Sequence, residues 1–218
     1  MWEFNLARTA DISILLPIII FFVRGRLHVP LTYKLIYSIV FLLFVRNITT
    51  FILGELGIYN VYIYNWYNLI GSIIVGLLYY HLFENQYLKG FAILTICITV
   101  IAALFDYESL FNPATTNFNR FSYNISGCLE IILILIYFYQ LLQGLLVPNL
   151  AKFSPFWFSA GALFYFSGTI FSYISINSTF NDLDVRSQYW AIDAFLSIIF
   201  NVFLAISVWY IKPVKVDN

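Results

Sequence analysis

Charge is scarce in this chain. Only 10% of its 218 residues are Asp, Glu, Lys or Arg, against about a quarter in soluble domains, while 61% are hydrophobic. With a mean hydropathy of +0.84, this composition excludes an ordinary soluble domain and predicts an all-α integral membrane protein. Eleven basic residues balance eleven acidic ones. The cations are scattered, so no basic patch offers a footprint for nucleic acid. Histidine and cysteine number two each. Cys97 and Cys128 lie in separate apolar runs with neither disulfide nor metal spacing, and His28 and His81 have no ligating company. The three protein ligands of a catalytic zinc site therefore cannot be assembled, which disfavours a zinc-dependent membrane hydrolase. No CxxC, Ser-His-Asp set or glycine-rich phosphate loop is present, so neither cofactor nor metal nor enzymatic activity is expected. A positively charged leader is missing too. Glu3 and Asp11 accompany Arg8 ahead of the first apolar core, which reads as a retained helix rather than a signal peptide.

What the chain does have is hydrocarbon-compatible sequence. Apolar runs bounded by charges, prolines or Asn/Gly clusters predict helices near 2–23, 31–54, 61–83, 88–105, 121–143, 155–176 and 188–211. Together they form one transmembrane domain over 1–218, a seven-transmembrane-helix bundle. Pro17 should kink the first helix. Arg24, Arg26, Lys34, Lys89, Lys152, Lys212 and Lys215 fall on one side of this topology, and Arg8, Arg120 and Arg186 on the other. The excess of basic residues marks the cytoplasmic side, placing the N-terminus outside and the C-terminus in the cytoplasm of a bacterial inner or other plasma membrane. The longest outer loop, 106–120, carries the turn formers Asn112 and Pro113 and reads as an ordered cap or a mobile lid. Asn177-Ser178-Thr179 fits a glycosylation pattern of low specificity. No internal repeat relates the first three helices to the last three.

Inside the second helix, LTYKLIYSIVFLLFVRNITTFILGEL, stands Arg46. A charge at that depth costs roughly 2.5 to 3.5 kcal/mol on insertion scales, so it faces the protein interior and marks a site. Glu130 and Asp193 are the other ionisable residues well inside spans. With about 1.5 Å of rise per residue, Arg46 lies about 10 Å from the outer end of its helix, Glu130 about 13 Å and Asp193 about 8 Å. All three share the outer half of the bilayer. One arginine facing two acids leaves an acid over, which Arg8 could neutralise unless Glu130 is itself protonated. The buried charge network expected is Arg46, Glu130, Asp193 and Arg8.

Helical spacing adds polar faces around these charges. Asn65, Asn68, Ser72, Gly76 and Tyr79 line one face of the third helix. Asp193, Ser197 and Asn201 do so on the seventh, Tyr123, Ser126, Glu130 and Tyr137 on the fifth, and Gly161, Gly168, Ser172 and Ser175 on the sixth; Arg46 aligns with Ser38 and Thr49. Such faces serve either as packing glue between helices or as the wall of a ligand cavity.

Helix count and orientation resemble those of G-protein-coupled receptors and microbial rhodopsins, in layout alone. The seventh helix has no lysine for a retinal Schiff base, the third ends in YYHLFEN rather than a DRY-type triplet, and no NPxxY closes the seventh. The proline tetrad of the SWEET sugar transporters is absent as well. No family is assigned. The function expected is that of a small sensor or receptor-type module. It would bind a small polar ligand through Arg46, Asn65, Asn68, Glu130 and Asp193, and act through a membrane or cytoplasmic partner protein. A small-solute or proton-coupled transporter is the alternative, and a non-catalytic assembly subunit the third reading.

Overall fold

The computed structural model describes residues 2–24, 28–58, 60–105, 107–115, 118–143, 149–176 and 183–212, and among these every regular element is a helix. The order is α1 (Trp2–Ser13), α2 (Leu15–Arg24), α3 (Leu31–Glu55), α4 (Val61–Leu82), α5 (Gln86–Phe105), α6 (Tyr107–Phe111), α7 (Arg120–Gln143), a short 3-10 turn at Leu150–Lys152, α8 (Ser154–Ile176) and α9 (Leu183–Trp209). Six helical stretches are long and apolar enough to cross a bilayer: Leu6–Arg24, Leu31–Glu55, Val61–Leu82, Gln86–Phe105, Phe121–Gln143 and Ala191–Trp209. The chain is a multi-pass membrane protein. The stretch expected at 155–176 forms α8, of 23 residues, and is not among those six. Arg26, Asp106, Asn117, the Asn177–Thr179 triplet and Lys215 lie outside the described residues, as do the side chains of Glu3, Arg120, Ser175 and Arg186.

Helix ends follow local chemistry. Pro17 has no N–H for the Ser13 carbonyl and its ring crowds that group, and the first span is broken at Ile14, between α1 and α2. α3 starts after Pro30, whose carbonyl accepts from the N–H groups of Tyr33 and Lys34 at 3.0 and 3.2 Å. It ends in a Schellman motif: Gly57, at φ 68°, donates to Gly54, while Ile58 donates to Leu53 at 2.9 Å. Only glycine takes that left-handed conformation without strain. α7 is capped by Asn119, whose side-chain oxygen accepts from the Ser122 N–H at 3.0 Å.

The long helices close a ring in which α3, α4, α5, α7, α8 and α9 are successive neighbours, and α1 and α2 pack along α9 to complete it. α4 also touches α7 across the middle, and α6 lies over the ends of α4 and α5. The two ends of the bundle differ. Towards the start of α3 and the end of α4 the interior is dry and filled, with Ile36, Val40, Leu78, Phe83, Ile134, Phe158 and Leu204 buried together. There Ser154 and Ser207 join α8 to α9 through hydroxyls 3.0 Å apart, and the Arg24 guanidinium lies 3.6 Å over the Trp209 ring, a cation–π contact. Towards the end of α3 and the start of α4 the interior is polar and hollow.

Two of the faces read from spacing have a different role from the cavity wall expected. Ser38 is exposed and bonds the Lys34 carbonyl of its own helix. Eight residues advance a helix about 80° beyond two full turns, so Ser38 and Arg46 do not share a face. Gly161 and Gly168 are contact points between helices, because an added Cβ would collide with Phe203 and Leu196 of α9 respectively. In lipid, where apolar burial gives little drive, such close approach is what holds helices together. Gly161→Ala should therefore cost roughly 1–3 kcal/mol by overpacking. A fall in melting temperature of the detergent-solubilised protein measures this. Gly90→Ala, with nothing within 4 Å of the new carbon, should leave the melting temperature unchanged or raise it.

Candidate functional site

Two cavities meet at Arg46. The larger, of about 420 Å³, lies between α1, α3, α4 and α9; Asp11, Arg46, Thr50, Asn60, Tyr64, Asp193 and Ser197 supply its polar wall. The smaller, of about 60 Å³, lies deeper, where Arg46 meets Asn68, Ser72, Tyr123, Glu130 and Tyr165. It has room for a water or two. The Arg46 side chain thus separates an upper chamber from a lower void. The chamber's volume falls within the ordinary range of small-molecule sites.

Among the described residues no carboxylate forms a direct ion pair with the arginine. Among the described residues its polar contacts are the Asn47 side-chain oxygen, accepting from Nε at 3.2 Å, and the Tyr64 ring, whose centroid is 5.0 Å from the guanidinium carbon. Asp11 and Asp193 both stand within its electrostatic range without a direct ion pair. Asp193 instead receives the Tyr165 hydroxyl, at a long 3.5 Å. Glu130 lies lower, 4% exposed. The Ser72 hydroxyl stands beside its carboxyl, and its Oε1 has no hydrogen-bond partner among the described residues.

Of the residues expected at the site, Arg46 and Asp193 line the chamber, while Arg46, Asn68 and Glu130 line the void. Asn65 lines neither. Its side-chain nitrogen donates to the Ser109 carbonyl at 2.8 Å and its oxygen accepts from the Asn119 N–H at 3.2 Å, so the residue ties the 107–119 segment to α4. Trp66 adds a second tie, donating to the Leu110 carbonyl at 2.9 Å. Arg8 lines neither cavity, and stands in a groove between α1/α2 and α3.

Sequence reading missed Asp11, Asn60, Tyr64 and Tyr165 as wall residues. Tyr64 is one turn before Asn68, and Tyr165 falls between Gly161 and Gly168 on the spacing already noted, so a signal existed for both. Asn60 owes its place to the turn after Gly57, where its side chain donates to the Thr50 carbonyl at 3.0 Å.

Chemically, the chamber offers one guanidinium between two carboxylates, with amide and hydroxyl groups around them. Among the described residues no group of three or more His, Cys, Asp or Glu side chains could hold a metal ion. Comparison with protein-family models, with curated proteins and with solved structures returned no match.

Proposed function

We propose that this chain is a membrane sensor or receptor-type module, with a small polar ligand bound in the chamber around Arg46 and the signal passed to a partner protein. The carrying observation is the chamber itself: a 420 Å³ polar cavity at one end of a bundle whose other end is dry and filled. Such asymmetry suits a site reached from one side only. In this reading α8 is the seventh span, since 23 residues extend about 34 Å at 1.5 Å per residue, enough for the roughly 30 Å hydrocarbon core. The distribution of basic residues then turns the chamber outward, with the C-terminus on the cytoplasmic side.

Glu130 favours a second reading, that of a small-solute or proton-coupled carrier. Its Oε1 and the Tyr137 hydroxyl, each without a hydrogen-bond partner among the described residues, are buried two turns apart on α7, below Arg46 and towards the dry end. Ionisable groups buried in a membrane commonly mark transport paths.

Single cysteines separate the two. Ser197→Cys, in the chamber, should react with a membrane-impermeant thiol reagent from the outer side. Ser159→Cys, fully buried at the Tyr79 contact, should stay unreactive from both sides in a receptor. Labelling of Ser159→Cys from the cytoplasmic side, blocked when Ser197→Cys is open, would establish a carrier and end the receptor reading.

A further inference from the structure

The chamber has a neighbour on the bilayer side. A groove of about 420 Å³ runs between α1/α2 and α3, lined by Ile12, Leu15, Phe44, Ile48 and Phe51 with Arg8 beside them, and it shares two residues with the chamber wall, Asp11 and Asn47. The seam is open because α1 packs along α9 and makes almost no helix-to-helix contact with α3. Ile12, Ile48 and Phe51 are 64, 43 and 53% exposed along it, which suits hydrocarbon. Asp11 does not suit it. This side chain is exposed within the Leu6–Arg24 span, where the groove and the chamber join, and a carboxylate at the edge of hydrocarbon is stabilised by a polar group over it.

We propose that the ligand of the chamber is a single-chain amphiphile that reaches it from the bilayer through the α1–α3 seam. Its tail lies in the groove and its head, bearing both an ammonium and an anionic group, passes Asp11 into the chamber. This rests on the receptor reading, with the amphiphile's head as the small polar group that fills the chamber and its tail left in the groove. Charge decides the head. A purely anionic head finds Arg8 on the groove and Arg46 beyond it but meets Asp11 and Asp193, and a purely cationic one meets both arginines. A zwitterion sets its anion on the guanidinium and its cation on a carboxylate.

The test uses the full chain in phosphatidylcholine nanodiscs. The probe is a lysophosphatidylethanolamine carrying a photoactivatable diazirine in its acyl chain, with crosslinks mapped by peptide mass spectrometry. Crosslinks should concentrate at Ile12, Ile48 and Phe51, several-fold above the equally exposed Leu94, Ile101 and Leu104 of α5. Unlabelled lysophosphatidylethanolamine should compete about tenfold better than lysophosphatidylglycerol. Ile48→Trp, which fills the groove, should remove the excess. Equal labelling of the two faces, or competition that ignores the head, overturns the proposal. Soluble O-phosphoethanolamine separates this failure from that of the receptor reading. If it raises the melting temperature of the native and Ile48→Trp proteins alike while the seam shows no excess, the chamber fills from water and only the lateral route falls. If neither probe has an effect, both readings fall for ligands of this class.

Discussion

Replacing Arg46 with alanine is expected to lower the thermal stability of the purified protein at the lower end of the roughly 3–5 kcal/mol seen when one partner of a buried charge pair is removed. The lower end applies because, among the described residues, Arg46 touches no carboxylate directly. Its polar contacts are Asn47 and the Tyr64 ring, while Asp11 and Asp193 feel it from further off. Alanine leaves two acids around one chamber with nothing between them. Adding Asp193→Asn to Arg46→Ala should therefore recover much of the loss, because that acid shares the chamber. Adding Glu130→Gln should recover less. Glu130 borders Arg46 only across the lower void. Melting curves of the four proteins in one detergent give the comparison. Equal recovery by the two acids would mean that Arg46 serves the void as much as the chamber, and an unchanged Arg46→Ala melting temperature would show that its charge is already met by solvent or headgroups.

The legible part of this molecule was its hydrocarbon pattern. The stretches expected at 31–54, 61–83 and 121–143 are α3, α4 and α7 to within a residue or two at each end, because a bilayer demands an unbroken apolar run of fixed length. Pro17 marked the first span as irregular for a reason that needs no tertiary knowledge. Arg46, Glu130 and Asp193 stood out because charge inside such a run is rare. What spacing could not supply was azimuth and partner. Gly161 and Gly168 share a face with Ser172, yet they seat α8 on α9; a small residue admits a ligand or a neighbouring helix equally well, and only the packing decides. Depth likewise placed Glu130 and Asp193 at one level, while the fold puts Asp193 on the chamber and Glu130 on the void beneath it. Asn65 was legible as polar and interior, but its partners are 44 and 54 positions away in the chain, and no local pattern announces them.

Those distant partners make Asn65→Leu the other large perturbation. Residues 107–115 and 118–119 lie against α4 and α5 at the hollow end of the bundle, where Ser109 and Asn119 are 1 and 3% exposed, so their backbone groups have little water to turn to. Leucine removes the acceptor of the Asn119 N–H and the donor to the Ser109 carbonyl at once. Each buried group left unpaired costs roughly 1–3 kcal/mol, which sets the expected loss at roughly 2–6 kcal/mol. The damage should spread along the segment. Asn119 also donates to the Ala103 carbonyl at 3.0 Å and caps α7 through Ser122, so a displaced Asn119 loosens the end of α5 and the start of α7 together. Hydrogen exchange should accelerate at Ser109 and Leu110 and through the first turn of α7, while the dry end around Phe158 and Leu204 keeps its protection. Asn119→Leu should reproduce most of this, and the double variant should cost less than the sum of the two, because both residues hold the same segment. Asn68→Leu, three residues along α4 on the wall of the small void, breaks no hydrogen bond among the described residues and should cost less than about 1 kcal/mol. Equal losses for Asn65→Leu and Asn68→Leu would mean that the segment is held by its apolar contacts, Leu110 against Leu69 and Ala103, and that the asparagine ties are incidental.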